Sequence, residues 1–260
     1  MSWTLTWTIP EQQLSAIKDF YMQHADRPMV QRRRQKNVVC EGRDFSRDAF
    51  IKVMLSCLCT SRQLSGPNDR VAQFFRRHPF PITEQYCNIN QPFLAERLKS
   101  ELSGAGIRFT NKIPAHFAEN LRRLENSNWQ LLQELRDHIP NDAADEEWER
   151  RMARSISMKK NPYGFKLKGF GPKQSRNLLQ IMGVSRFEVP LDSRFTNWLH
   201  QQGFLYQLTD NELQSSALYE IVVDAVKELS QQIGVYPCLL DAAVFSSVDG
   251  DGWTIENLVF

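Results

Sequence analysis

Lys173 and Asp192 are the two side chains best suited to chemistry. Lys173 stands in Phe165-Lys-Leu-Lys-Gly-Phe-Gly-Pro-Lys-Gln-Ser-Arg-Asn-Leu-Leu179, and Asp192 follows 19 residues later in Val189-Pro-Leu-Asp-Ser-Arg194. A neutral amine can attack an electrophilic carbon and hold it covalently as an imine. A carboxylate fixed nearby can stabilise positive charge as it develops on that carbon. Each residue also has a plainer reading: a surface lysine touching a phosphate, and an aspartate capping a helix.

The residues around Lys173 indicate how it is positioned. Gly169 and Gly171 flank Phe170, and glycine lets a backbone turn through positive φ and approach another backbone closely. Pro172 suits the first position of a helix, where its missing N–H loses nothing. The stretch predicts a hairpin tip feeding a helix from Pro172 through Leu178, Leu179 and Met182 to Gly183. Such a helix start offers unpaired N–H groups and partial positive charge, both suited to phosphate. Lys173 falls in its first turn, where the dipole disfavours a cation and so favours the neutral, nucleophilic amine. Asp192, ahead of Phe195, Trp198 and Leu199, predicts a second helix start that stabilises the carboxylate as an anion.

Leu-Lys-Gly-Phe-Gly-Pro-Lys173, followed by Val-Pro-Leu-Asp192, resembles the helix-hairpin-helix-GPD superfamily of DNA glycosylases, and within it the 8-oxoguanine DNA glycosylase/lyases. The resemblance runs from about Phe45 to Ser247 and is strongest over Leu167–Arg194. It implies a mainly α fold of two helical lobes with the active site in the cleft between them. It makes Lys173 the nucleophile and Asp192 the catalytic carboxylate. It also assigns Gly169, Gly171, Arg176 and Arg194 to the DNA backbone. In the family, the end of an earlier helix fills the gap left by an extruded base; here Cys59-Thr-Ser-Arg-Gln-Leu64 offers Arg62 or Gln63. Tyr236-Pro-Cys-Leu-Leu-Asp-Ala-Ala-Val-Phe245 resembles the family's last helix, where a polar residue reads the base edge and a phenylalanine four positions on stacks upon it. Asp241 and Phe245 hold those places, and residues four apart share a helix face. The family usually has glutamine at the place of Asp241 and often cysteine at that of Asn177. Asp241, Phe245 and Asn177 are thus the expected base pocket, with an aspartate that accepts from guanine N1–H and N2–H but cannot donate as an amide does.

Composition agrees with a soluble DNA-binding protein. The 260 residues are enough for one large domain or two small lobes. A hydrophobic content of 42% and a charged content of 24% are ordinary for a soluble globular protein. No apolar run approaches the roughly 18 residues of a membrane span. With no signal-peptide pattern, the chain is expected to be intracellular, in the cytoplasm or nucleoid, or in a eukaryotic nucleus. Cys40, Cys57, Cys59, Cys87 and Cys238 show neither zinc nor disulfide spacing, nor the compact four-cysteine cluster of some glycosylases of this superfamily. No metal and no cofactor is therefore expected. Net charge is only +2, but Arg151 to Arg176 holds eight basic residues and no acidic one, the footprint of a nucleic-acid binder. The expected partner is double-stranded DNA carrying a damaged or modified base, bound by a monomer.

Along the chain, Ser2–Ile9 alternates as a short strand does, Glu11–Gln23 has helical character, and Asn37–Cys40 suggests a second strand. Residues 1–44 thus form an N-terminal segment with a short β part, ahead of a glycosylase core at 45–260 whose helix-hairpin-helix motif spans about 157–183. Phe50, Val53, Met54, Leu55 and Leu58 repeat at helical spacing, as do Val71, Phe74 and Phe75 after Gly66-Pro67. Thr209-Asp-Asn-Glu212 is a capping box expected to open a long helix from Leu213 to Leu229, ended by Gly234.

The resemblance implies excision of 8-oxoguanine through a Lys173 Schiff base, then strand nicking by β-elimination. Two other readings stay open. One is a glycosylase of the same fold for a different modified base, including one directed at foreign DNA, which Asp241 and Asn177 would suit. The other is a non-catalytic helix-hairpin-helix module, although holding phosphate requires neither Lys173 nor Asp192.

Overall fold

The apolar residues collect into separate cores, and the chain leaves one region, builds the other, and returns. The computed structural model describes residues 7–61, 63, 65–138, 142–158, 164–204, 208–209, 211–248 and 252–259. Among these the regular structure is helical, with no strand. The N-terminal helices are α1 (Glu11–His24) and α2 (Pro28–Arg33). Then come α3 (Arg47–Cys59), α4 (Arg70–Phe75), α5 (Glu84–Ile89), α6 (Leu94–Gly104), α7 (Lys112–Asn126), α8 (Gln130–Asp137), α9 (Asp142–Ser157) and α10 (Pro172–Ile181). The chain closes with α11 (Ser193–Gln201), α12 (Ser216–Ile233) and α13 (Pro237–Val248).

The first lobe is α3 to α10, around a core that includes Phe50, Met54, Leu55, Phe117, Leu178 and Leu179. Ser46 starts α3 by accepting the Ala49 N–H at 3.2 Å, which satisfies one of the helix's orphan donors. The second lobe joins the two ends of the chain. α1 packs on α12 and α13, and α2 packs on α13, around Ile17, Leu191, Phe195, Tyr219 and Val226. α13 is the innermost helix of this lobe, buried from Pro237 through Val244. From Pro237 to Val244 its sequence is apolar apart from Asp241, as a helix segment buried on all sides must be.

Two local expectations are corrected. Asn37–Cys40 is not a strand: Arg34–Val38 continues α2 as a π turn. The reason is tertiary. Asn37 is buried, and its amide donates to the carbonyls of Gln180 (3.1 Å) and Ser185 (2.6 Å), tying this turn to the end of α10. Of the other expected strand, residues 2–6 lie outside the described residues; Trp7 and Ile9 are unpaired as strand but buried in the second core. The capping box does form, with Glu212 Oε2 accepting the Thr209 N–H at 2.8 Å. It opens only a 3-10 turn at Glu212–Gln214, and α12 starts afresh at Ser215. None of the described helices is long and apolar enough to cross a membrane.

Candidate active site

The loop between α9 and α10 is held from behind. Asn120 on α7 is fully buried and clamps the hairpin tip: its Oδ1 accepts the Lys168 N–H at 2.5 Å and its Nδ2 donates to the Lys168 carbonyl at 2.9 Å. Gly169 then turns at φ +83°, where a Cβ would stand 2.6 Å from His116 Nδ1 and 2.8 Å from Leu58 Cδ2. Only glycine fits both that backbone and that space. Gly171 departs from the expectation. Its φ of −101° is extended backbone, and a Cβ there would meet nothing nearer than Gln214 Oε1 at 3.8 Å. It serves as the N-cap of α10 and as wall of the adjoining cavity.

Lys173 is the second residue of α10, as the sequence predicts, and Gly183 ends the helix at φ +82°. Its Nζ lies 3.9 Å from Asp192 Oδ2. Asp192 divides its work between two oxygens. Oδ1 caps α11 by accepting the N–H groups of Arg194 (3.0 Å) and Phe195 (3.1 Å). Oδ2 takes the Arg194 Nε at 3.1 Å and faces Lys173. The capping and catalytic readings of this residue are therefore compatible. Burial raises its pKa, but the charges of Lys173 and Arg194 and the hydrogen bonds from Phe195 and Arg194 outweigh that, leaving the carboxyl below its ordinary value.

Lys173 and Asp192 open onto a cavity of about 840 Å³ between the lobes, within the range of pockets that take small organic groups. The first lobe contributes Leu58, Ile113 and Gly169; the second contributes Met29, Asp241 and Phe245. Asn177, one turn after Lys173, lines it too. Burial pushes the Asp241 carboxyl up to about 7, against opposing attraction from Arg33. Arg194 lies 3.9 Å above the centroid of Phe245 and so covers one face of that ring.

No family model matches the chain, and no curated protein matches it by sequence. Among solved structures it is similar to the 8-oxoguanine DNA glycosylase of Methanocaldococcus jannaschii, at 15% identity with a TM-score of 0.55, over 90% of this chain and 94% of that chain. The fold is a DNA glycosylase fold.

Within that fold, several expected positions find other uses. Arg176 is not on a DNA-facing surface. It is 2% exposed, donates from Nε to Glu188 at 2.6 Å and stacks on Tyr219 with 4.5 Å to the ring centroid. Spacing from Lys173 could not reveal that its side chain turns to the back of α10. The basic block disperses for the same reason. Arg154 pairs with Glu220, and Lys166 donates to the carbonyls of Ser157 and Phe170; Lys159 and Lys160 lie outside the described residues. Gln63 lines the cavity, but its amide is tied to the Cys59 carbonyl and to the Arg108 N–H. Arg62 lies outside the described residues.

Other cavity residues had no role assigned from sequence: Arg33, Arg108, Phe109, Lys112 and His116, although Gly106–Phe109 and Ala115–Leu124 loosely resemble a segment of the prokaryotic branch of those glycosylases. Phe109 is 41% exposed at φ +60°, an unusual backbone for a bulky residue. An exposed aromatic beside basic residues was the signal available. Arg33 had only the charge run Arg32-Arg-Arg-Gln-Lys36, which reads as a solvated or DNA-facing segment.

Proposed function

We propose that this protein is a bifunctional DNA glycosylase/lyase that excises an oxidised purine, 8-oxoguanine, from double-stranded DNA. The observation that carries the reading is Lys173 Nζ, 3.9 Å from the ionised Asp192, at the wall of an 840 Å³ cavity in a glycosylase fold. The protein of similar fold from Methanocaldococcus jannaschii is an 8-oxoguanine DNA glycosylase, which favours the same base class here.

To expose C1′, the base must leave the stack, at a cost that is lower for damaged bases. With Gln63 held by backbone groups, Phe109 at the cavity rim is the apolar side chain suited to enter the space left behind. Once its ammonium has given up a proton, the Lys173 amine attacks C1′; the bond to the base nitrogen breaks, and its electron pair leaves with the base, which takes a proton. Asp192 Oδ2 stabilises positive charge on the sugar during that step. Loss of the amine proton and ring opening yield the Schiff base. Removal of a C2′ proton then forms a C=C bond and expels the 3′ phosphate, nicking the strand. These steps use no metal or organic cofactor, and a monomer contains every residue named.

Borohydride trapping on an 8-oxoguanine:cytosine duplex tests this, comparing the wild type with Lys173→Gln. A covalent adduct from the wild type alone is expected. No adduct on this duplex, with an adduct on a duplex bearing another modified base, would move the activity to a different lesion. Asp241 and Asn177, which replace the residues usual in the family, favour that second reading.

A further inference from the structure

Arg33 and Asp241 share the cavity between the lobes, and among the described residues neither side chain has a hydrogen-bond partner. Arg33 ends α2 and lines the cavity; its Nε is buried with no hydrogen-bond partner. Asp241 lines the same cavity at 9% exposure. Among the described residues it accepts no hydrogen bond and forms no ion pair within 4.0 Å. The two charges feel one another, since each is among the causes of the other's titration shift. They are nevertheless too far apart to pair. Buried polar groups without partners are rare in native proteins and call for an explanation. Here the space between a pure donor and a carboxyl that, once ionised, only accepts is the cavity itself.

We propose that Arg33 and Asp241 together read the pairing edge of the extruded base, and that the edge they fit is guanine's. A guanidinium can only donate and a carboxylate can only accept. Guanine offers the acceptor O6 to Arg33, and N1–H and N2–H side by side to the two oxygens of Asp241. Adenine reverses the order, with an amino donor at C6, an acceptor at N1 and nothing at C2. It leaves both carboxylate oxygens and the facing Arg33 N–H without partners, which is costly once the site is dry. An 8-oxo group does not alter the pairing edge, so the pair discriminates purine type independently of the oxidation. The inference rests on the glycosylase reading, and it assigns to Arg33 a specificity role that supplements Asp241.

The test uses the Lys173→Gln protein, which holds the base without cutting, and duplexes bearing 8-oxoguanine or 8-oxoadenine, each opposite cytosine. The 8-oxoguanine duplex is expected to bind at least about tenfold more tightly, the scale of one good base-edge contact. Adding Arg33→Met should lower that ratio by at least about threefold, with the remainder carried by Asp241. An unchanged ratio, or no preference in the parent, overturns the proposal. If Arg33→Met fails to fold by thermal melting, Arg33→Lys replaces it; a drop of the ratio by at least about threefold supports the role of the planar fork, and no drop overturns it. Trapping of an abasic duplex by proteins that retain Lys173 is a separate arm. Absence of that adduct counts against the lysine chemistry, whatever the affinity ratio shows.

Discussion

Two buried carboxylates, Glu188 and Asp241, are treated in opposite ways. Glu188 is fully buried and saturated: it accepts from Arg176 at 2.6 Å, Arg150 at 3.0 Å and Lys227 at 2.9 Å. Burial pushes its pKa up, but the three cations dominate and take it down to about 2. Asp241 meets no such set, and burial takes it up to about 7. Glu188 joins the back of α10 to α9 and α12, whereas Asp241 faces the cavity. A saturated buried charge holds structure together; an unsaturated one keeps its capacity for a ligand at some cost to stability.

Four experiments put this contrast to the test. Lys173→Gln should cut base release and trapping by about 10³-fold or more, the scale of losing an activated nucleophile, with the melting temperature little changed. Base release at a wild-type rate would remove Lys173 from the chemistry. Arg176→Met leaves Glu188 short of a partner and should cost about 3–5 kcal/mol of stability. Its DNA affinity should keep the same salt slope, because a buried arginine releases no counterion; a slope smaller by about 1 would return Arg176 to the phosphate contacts.

Gly169→Ala forces a Cβ to within 2.6 Å of His116 at positive φ and should cost about 1–3 kcal/mol, seen in urea denaturation. A variant as stable as wild type would mean that the hairpin tip yields. The smallest effect concerns pH. Because the folded pKa of Asp241 is raised to about 7, the native state retains a proton that the unfolded chain has lost, so this group lowers stability as pH rises from the ordinary carboxylate range towards 7. Asp241→Asn should therefore raise the melting temperature by a few degrees more at pH 8 than at pH 5, while weakening recognition of the base. Glu188 has the reverse sign. Its contribution is full above the ordinary carboxylate range and is lost as pH falls towards 2.

The helix-hairpin-helix was legible because its signals are local. The Gly169 turn, the Pro172 start and the Asp192 cap are set by backbone geometry within a few residues, and the structure shows each in place. Gly171 looked equivalent to Gly169 and is not, since φ depends on where the flanking segments are anchored. The strand expected at Asn37–Cys40 failed because alternation over four residues is weak beside the two hydrogen bonds that Asn37 makes to the end of α10.

What could be read from the sequence was the pair of helix starts at Pro172 and Asp192, with Lys173 and Asp192 placed at them. Capping, glycine conformation and apolar periodicity act over one or two turns, so they can be read from neighbours. Which charges open on the cavity and which are locked in the core was settled by tertiary packing. Arg176 and Lys173 are three residues apart on one helix, yet one is locked against Glu188 and the other opens on the cavity. Arg33 and Asp241, 208 positions apart in the chain, meet because α2 packs on α13. Side-chain partners over that separation follow from how the cores close, which no local pattern encodes.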